Sequence, residues 1–180
     1  MTKSFNTKNM VVTALLIAFG IIIPTAFGFL RVILPPAFTA TLTAHVPIFI
    51  AMFISPSSAI FTAIGTAIGF LVSGLAIVVV IRAASHIVFA IVGAYMVKNG
   101  KSIVLSGIIT AILHALLEAV VVYLFLALGW TTSSEAFVKV AFYTTGIGTL
   151  VHHLVDYIIA IALMKALSKV GAIKALPKLF

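Results

Sequence analysis

The sequence predicts an all-α integral membrane protein, a compact bundle of six transmembrane helices with both termini in the cytoplasm. Of its 180 residues 63% are hydrophobic and only 8% are charged, and the mean hydropathy is +1.35. About a quarter of a soluble chain is charged, so lipid is the expected solvent for most of this one. Apolar runs near the length that crosses a bilayer separate the charged positions. We expect residues 1–180 to form a single domain.

Proline, glycine and lysine delimit the predicted helices. The first apolar run follows two lysines, as in a signal peptide, but it is long enough to span and carries no cleavage pattern. It is therefore expected to remain as the first helix. The apolar runs are continuous rather than alternating, which excludes a β-barrel. A lysine-rich tail follows the last helix, and the helices are predicted at 10–30, 37–54, 57–72, 76–97, 102–128 and 137–167.

The lysines predict the orientation. An even number of helices places both termini on one side, together with the loop between the fourth and fifth helices. That side carries eight lysines: Lys3, Lys8, Lys98, Lys101, Lys165, Lys169, Lys174 and Lys178. Only Arg31, Arg82 and Lys139 fall toward the other side, so the positive-inside rule makes the lysine side cytoplasmic. The net charge of +8 then reflects topology and attraction to anionic lipid headgroups, not nucleic-acid binding.

Small residues predict where helices pack closely. Lipid gives helices no hydrophobic reason to associate, so small side chains at a spacing of four let their backbones approach. The third helix has two such stripes and is expected to pack on both sides: Ala59, Ala63 and Ala67 on one, Gly65, Gly69 and Ser73 on the other. The first helix carries Ala14 and Ala18.

Several ionisable side chains fall inside predicted spans, where each costs at least about 2.5 kcal/mol at the helix centre. A polar pocket that opens to the outside, between helices 2, 4, 5 and 6, would account for them together. The candidate lining is His45, Arg82, His86, His114 and Glu118, with His152, His153, Asp156 and Tyr157 on the sixth helix.

Each of these residues also has a structural interpretation. Arg82 either snorkels to the headgroups or, with Arg31, captures a carboxylate, for which arginine is the best suited residue. The spacing-four pairs His114–Glu118 and His152–Asp156 either join helices or relay protons. Trp130 and Tyr143 belong either to an interfacial aromatic belt or to a stacking surface for a ring-shaped ligand.

Other chemistries lack their motifs. The chain has no cysteine, and no HxxxH or HExxH spacing is present, so no metal site and no cofactor are expected. No nucleophile elbow or paired carboxylates indicate an enzyme. A Walker-type phosphate loop is also missing, so this chain cannot hydrolyse ATP for its own transport.

The chain resembles the substrate-binding S-components of energy-coupling factor (ECF) vitamin transporters, six-helix proteins of bacterial plasma membranes. The similarity lies in the run Thr13–Gly20, which contains an Ala-x-x-x-Ala motif at Ala14 and Ala18, and in segments 43–56 and 82–86. The resemblance implies that these two alanines dock on a transmembrane coupling (T) subunit, which works with two cytoplasmic ATPase subunits. It also implies that the chain captures a vitamin from outside and topples in the membrane to release it.

The resemblance further implies that the loop Arg31–Phe38 gates the pocket, stiffened by Pro35 and Pro36. The outer arginines Arg31 and Arg82 favour a small carboxylate such as niacin or pantothenate. A pyridoxine-like ring or cobalamin remains an alternative ligand. The other open interpretations are a stand-alone proton-coupled carrier and a membrane scaffold subunit.

Overall fold

The computed structural model of the chain describes residues 7–35 and 37–169. Lys3, Lys174, Lys178, Pro36 and the predicted tail lie outside these ranges. The described residues form six α-helices and one β-hairpin: α1 (Thr7–Ala26), a 3-10 turn (Gly28–Leu30), β1 (Arg31–Leu34), β2 (Phe38–Thr41), α2 (Val46–Met52), α3 (Pro56–Val72), α4 (Ile77–Lys98), α5 (Ile103–Ala127), and a π-helical segment (Lys139–Ile147) that continues into α6 (Gly148–Lys169).

Four of these helical stretches are long and apolar enough to cross a membrane: α1, α4, α5 and the continuous stretch Lys139–Lys169. The 17 residues of α3 are at the lower limit for a transmembrane helix, about 17. The protein is therefore a multi-pass membrane protein. That it is one domain with cytoplasmic termini stays a prediction.

The second predicted helix, 37–54, is wrong over its first half. Phe38–Thr41 instead pairs antiparallel with Arg31–Leu34, with Leu34 opposite Phe38. These strands are rich in β-branched residues, which favour a pleated surface, and α2 is left with only seven residues. The first helix likewise ends at Ala26 rather than at residue 30. The all-α prediction is correct except for this hairpin.

The hairpin and α2 together return the chain along α1. At one end Arg31 Nη2 donates to the Pro24 carbonyl (2.6 Å), and at the other Thr13 Oγ1 donates to Ser58 Oγ (2.8 Å). Much of this return is non-helical, and most of β2 is buried. Non-helical backbone at membrane depth is tolerated only where protein covers it or where it lines a cavity. This requirement points to a site beside β2.

The predicted packing of α3 on both sides is confirmed, because this helix contacts both α1 and α4. Gly65 and Gly69 face α1. A Cβ at Gly69 would lie 2.7 Å from the carbonyl oxygen of Gly20 and from the Cα of Ile21. The glycine stripe therefore sets how closely α1 approaches, while Ala59 and Ala63 are fully buried.

The last membrane-spanning stretch begins with a loosely wound segment. Its residues Lys139–Ile147 are π-helical, and such segments concentrate at functional sites. Thr149 lies two residues after this segment, near the start of α6. Its hydroxyl donates a hydrogen bond to the buried carboxylate of Glu118.

Candidate functional site

A small polar pocket lies between β2, α4, α5 and α6. Its cavity volume is about 20 Å³, which is about enough for one water molecule. A larger ligand therefore enters only if the elements around the pocket move apart. The polar residues that line it are Thr39, Thr41, His45, Arg82, His86, Glu118 and His152.

The carboxylate of Glu118 is the hydrogen-bonding centre of the site. Its Oε2 accepts from Arg82 Nη2 at 2.6 Å and from Thr149 Oγ1. Its Oε1 accepts from His86 Nε2 at 3.1 Å. His114 Nε2 lies 3.3 Å from the same oxygen but does not have hydrogen-bond geometry. Removing a carboxylate from water is costly unless it is paired and hydrogen-bonded, and these contacts meet that need.

Arg82 joins the hairpin to the helices. The side chain is 3% exposed and faces the interior rather than the headgroups. Besides Glu118, it donates from Nη1 to the carbonyl of Ala37 at 2.7 Å and from Nη2 to that of Thr39 at 3.3 Å. Its Nε has no hydrogen-bond partner among the described residues. One guanidinium thus both lines the pocket and holds β2 in place.

A second buried carboxylate, Asp156, fixes the turn that leads into α2. Its Oδ1 accepts from the backbone N–H of Thr43 at 2.8 Å, and its Oδ2 accepts from the backbone N–H and Nδ1 of His45, both at 3.1 Å. Thr43 has a φ of 69°, which is unusual for a β-branched residue. Asp156 therefore stabilises an otherwise unfavourable turn and sets the orientation of the His45 ring.

All five histidines of the chain meet at this site. The rings of His45, His86 and His114 have centroids 4.6 to 4.8 Å apart, each pair edge to face. His153 lies behind them, with Nδ1 2.9 Å from His114 Nδ1 and Nε2 3.1 Å from Thr110 Oγ1. The fifth, His152, is on the pocket side, with Nε2 3.5 Å from Asp156.

The other predicted site residues lie elsewhere. Arg31 donates to Thr41 Oγ1 at 3.2 Å and to the carbonyl of Pro24, so it braces the hairpin and does not line the pocket. Trp130 is 68% exposed and packs edge to face on Phe125, and Tyr143 is 65% exposed. Ala14 and Ala18 are exposed on α1.

Sequence reasoning missed three residues of the site: Thr39, Thr41 and Thr149. Thr39 and Thr41 escaped because their segment was assigned to a helix. Thr149 precedes His153 by four positions, and this shared helix face was the available signal. The spacing argument against a metal applies only to ligands on one helix. In the fold one ring nitrogen from each of His45, His86 and His114 lies within 4.8 Å of the others, and His45, His152 and Asp156 form a second such group.

A multi-pass helical protein with a small, buried, polar pocket has the architecture expected of a membrane protein that binds a small molecule. No protein-family model and no solved structure matches the chain. It is 35% identical over 175 residues to the niacin transporter NiaX of Lactococcus lactis subsp. cremoris strain MG1363, across 93% of this chain and 78% of that protein. The chain belongs to the family of that transporter, which confirms the resemblance to ECF S-components.

Proposed function

We propose that this chain captures niacin, as nicotinate, on the outer side of a bacterial plasma membrane. It then delivers the vitamin through a T subunit and two cytoplasmic ATPases, with its own termini in the cytoplasm. The relative named a niacin transporter supports the choice of ligand.

The observation that carries the proposal is the set of buried polar atoms around the pocket that have no partner among the described residues. They include Arg82 Nε, Thr39 Oγ1 and His152 Nε2. A buried polar group left unpaired costs roughly 1–3 kcal/mol. A ligand with a carboxylate and a pyridine nitrogen supplies acceptors for such groups. Nicotinate therefore satisfies atoms that the fold alone leaves unpaired.

The hairpin is the proposed gate. Arg82 holds the carbonyls of Ala37 and Thr39, so a carboxylate that takes over this guanidinium removes the bonds that keep β2 against α4. A separate, open surface cavity is lined by Pro35 of the hairpin and by residues 132–135. Ligand entry and hairpin movement are therefore expected to occur together.

The T subunit is expected to dock on α1. Ala14 and Ala18 are exposed there, and small side chains allow a second helix to approach closely without polar contacts. This placement leaves the docking surface separate from the pocket residues. Substitutions on the two surfaces should therefore have separable effects.

The first test is native mass spectrometry of the gently extracted protein, followed by calorimetry with nicotinate, nicotinamide, pantothenate, pyridoxine and cobalamin. We expect a bound mass equal to that of niacin and a strong preference for nicotinate over its amide. Arg82→Gln should weaken nicotinate binding by about 10- to 150-fold, the equivalent of a charged hydrogen bond of roughly 1.5–3 kcal/mol.

The matched control is Lys139→Gln, which removes an exposed cation that pairs with Glu135 at 3.0 Å. It should leave binding unchanged. Equal affinity of the unmodified protein for acid and amide would refute the carboxylate role without relying on any variant. Selective binding of another vitamin would replace niacin as the cargo.

A further inference from the structure

Three buried histidines, two of which line the pocket, are arranged as ligands of a transition metal. One ring nitrogen from each of His45, His86 and His114 lies within 4.8 Å of the others. They come from the start of α2, from α4 and from α5, so no spacing within one helix reveals them. All three side chains are at most 3% exposed. Neutral imidazole is the commonest metal ligand among side chains.

The ring nitrogens divide into two kinds. In each ring one nitrogen is engaged: His45 Nδ1 with Asp156, His86 Nε2 with Glu118, and His114 Nδ1 with His153. The other nitrogen of each ring has no hydrogen-bond partner among the described residues. Metal-binding histidines characteristically use one nitrogen for a carboxylate or other partner and the second for the ion. The carboxylates here fix the tautomers of His45 and His86 so that the unpartnered nitrogen carries the lone pair.

Charge at the site also favours a cation. With neutral histidines, the buried groups are the guanidinium of Arg82 and the carboxylates of Glu118 and Asp156, which leaves one negative charge uncompensated. A divalent cation and a monocarboxylate that bind together bring the total to zero. Uncompensated charge at membrane depth is strongly disfavoured.

We propose that His45, His86 and His114 hold a divalent transition-metal ion of the zinc class, which takes the carboxylate or pyridine nitrogen of the vitamin as its next ligand. Three protein ligands with an open position are typical of zinc sites that bind a further molecule. Nitrogens around tetrahedral zinc are about 3.4 Å apart, from bonds of about 2.0–2.1 Å, so the rings move closer together by roughly 1 Å when the ion binds. This inference rests on the proposed function for the identity of the vitamin.

The second possible group, formed by His45, His152 and Asp156, is less suited to an ion. Asp156 already accepts three hydrogen bonds, two of them from backbone N–H groups of the strained turn. Coordination there would compete with the contacts that hold that turn. The two groups share His45 and differ in their other members, which makes them separable by substitution.

The test uses the full chain in lipid nanodiscs, purified without a polyhistidine tag. Elemental analysis is expected to find about one transition-metal ion per chain, and chelated protein is expected to take up one Co²⁺ with the visible absorption bands of a tetrahedral site. His86→Gln and His114→Gln should abolish uptake, whereas the control His152→Gln should retain it. Asp156→Asn, which removes the support of His45, should weaken the metal by about 10- to 100-fold.

Nicotinate, added to the Co²⁺ form, should shift the cobalt bands, and stripping the metal should weaken nicotinate binding at least tenfold. Folded protein that takes up no metal yet binds nicotinate overturns the metal site and leaves the proposed function intact. Metal uptake without nicotinate binding would support the metal site and overturn the proposed function. Uptake that survives His86→Gln and His114→Gln, or bands that nicotinate does not shift, also refutes the proposal.

Discussion

The ion pair between Arg82 and Glu118 should be the strongest single interaction in the site. We consider the variants Arg82→Gln, Glu118→Gln and the double variant. In the native structure both side chains are at most 5% exposed and their charged atoms are 2.6 Å apart. Each single variant leaves one charge buried without its partner, whereas the double variant leaves none.

The expected magnitudes follow from this burial. Removing one partner of a buried pair costs about 3–5 kcal/mol. For Glu118→Gln the loss of stability is expected at the upper end of this range. A neutral amide oxygen is a weaker acceptor than a carboxylate for the hydrogen bonds from His86 and Thr149. The double variant should be no less stable than the worse single one, so the coupling energy should reach at least about 3 kcal/mol, the smaller of the two single-variant costs.

The assay is reversible unfolding of the protein in mixed micelles, followed by the fluorescence of Trp130, with all four proteins measured under one condition. The exposed pair formed by Lys139 and Glu135, 64% and 48% exposed, supplies the control, since such pairs contribute at most about 1 kcal/mol. The reasoning about the site would be wrong if each single variant of the buried pair lowered the free energy of unfolding by no more than loss of the exposed pair does, and if the two effects were additive.

Three further predictions concern the turn, the helix packing and the docking surface. Thr43→Gly should stabilise the protein by up to about 1 kcal/mol in the same assay, because glycine relieves the positive φ that costs an L-residue roughly 1–2 kcal/mol; a loss of stability would contradict this. Gly69→Ala should destabilise by about 1–3 kcal/mol through overpacking against backbone atoms of α1, whereas Gly28→Ala, with nothing described within 4 Å of the added Cβ, should stay within about 0.5 kcal/mol. Replacing Ala14 and Ala18 by leucine should prevent co-purification of a T subunit while nicotinate affinity stays unchanged; retained co-purification would place the docking surface elsewhere.

The sequence was informative where one physical rule decides the outcome. Hydropathy, together with the proline, glycine and lysine residues that delimit the helices, predicts the bounds of α3, α4 and α5 to within one residue of those in the structure. The cost of burying ionisable groups correctly indicated that His45, Arg82, His86, His114 and Glu118 belong to one polar region of the interior, and they are all buried in the fold. Rules based on length failed at 37–54, because apolar residues with β-branched neighbours are compatible with either a helix or a strand.

The site could not be fully derived from the sequence because its contacts cross between elements. Arg31 and Arg82 look alike in sequence, yet only Arg82 reaches the pocket, since pairing of the hairpin turns Arg31 toward Pro24 and Thr41. The same pairing brings Thr39 to the pocket, which no helical assignment would do. The sequence shows which side chains can form hydrogen bonds and ion pairs. Which partners Arg31, Arg82 and Thr39 contact depends on the pairing of one hairpin.

That hairpin also links ligand binding to transport. The carbonyls of Ala37 and Thr39 and the carboxylate of Glu118 share the guanidinium of Arg82. An incoming carboxylate that binds Arg82 through Nε and a second guanidinium nitrogen competes with one of these acceptors. The neutral carbonyls are the weaker competitors, because they lack the full Coulomb attraction between a carboxylate and a guanidinium. Ligand capture is therefore expected to loosen β2 before it disturbs the α4–α5 pair, so the gate responds to the cargo while the helix bundle keeps its shape.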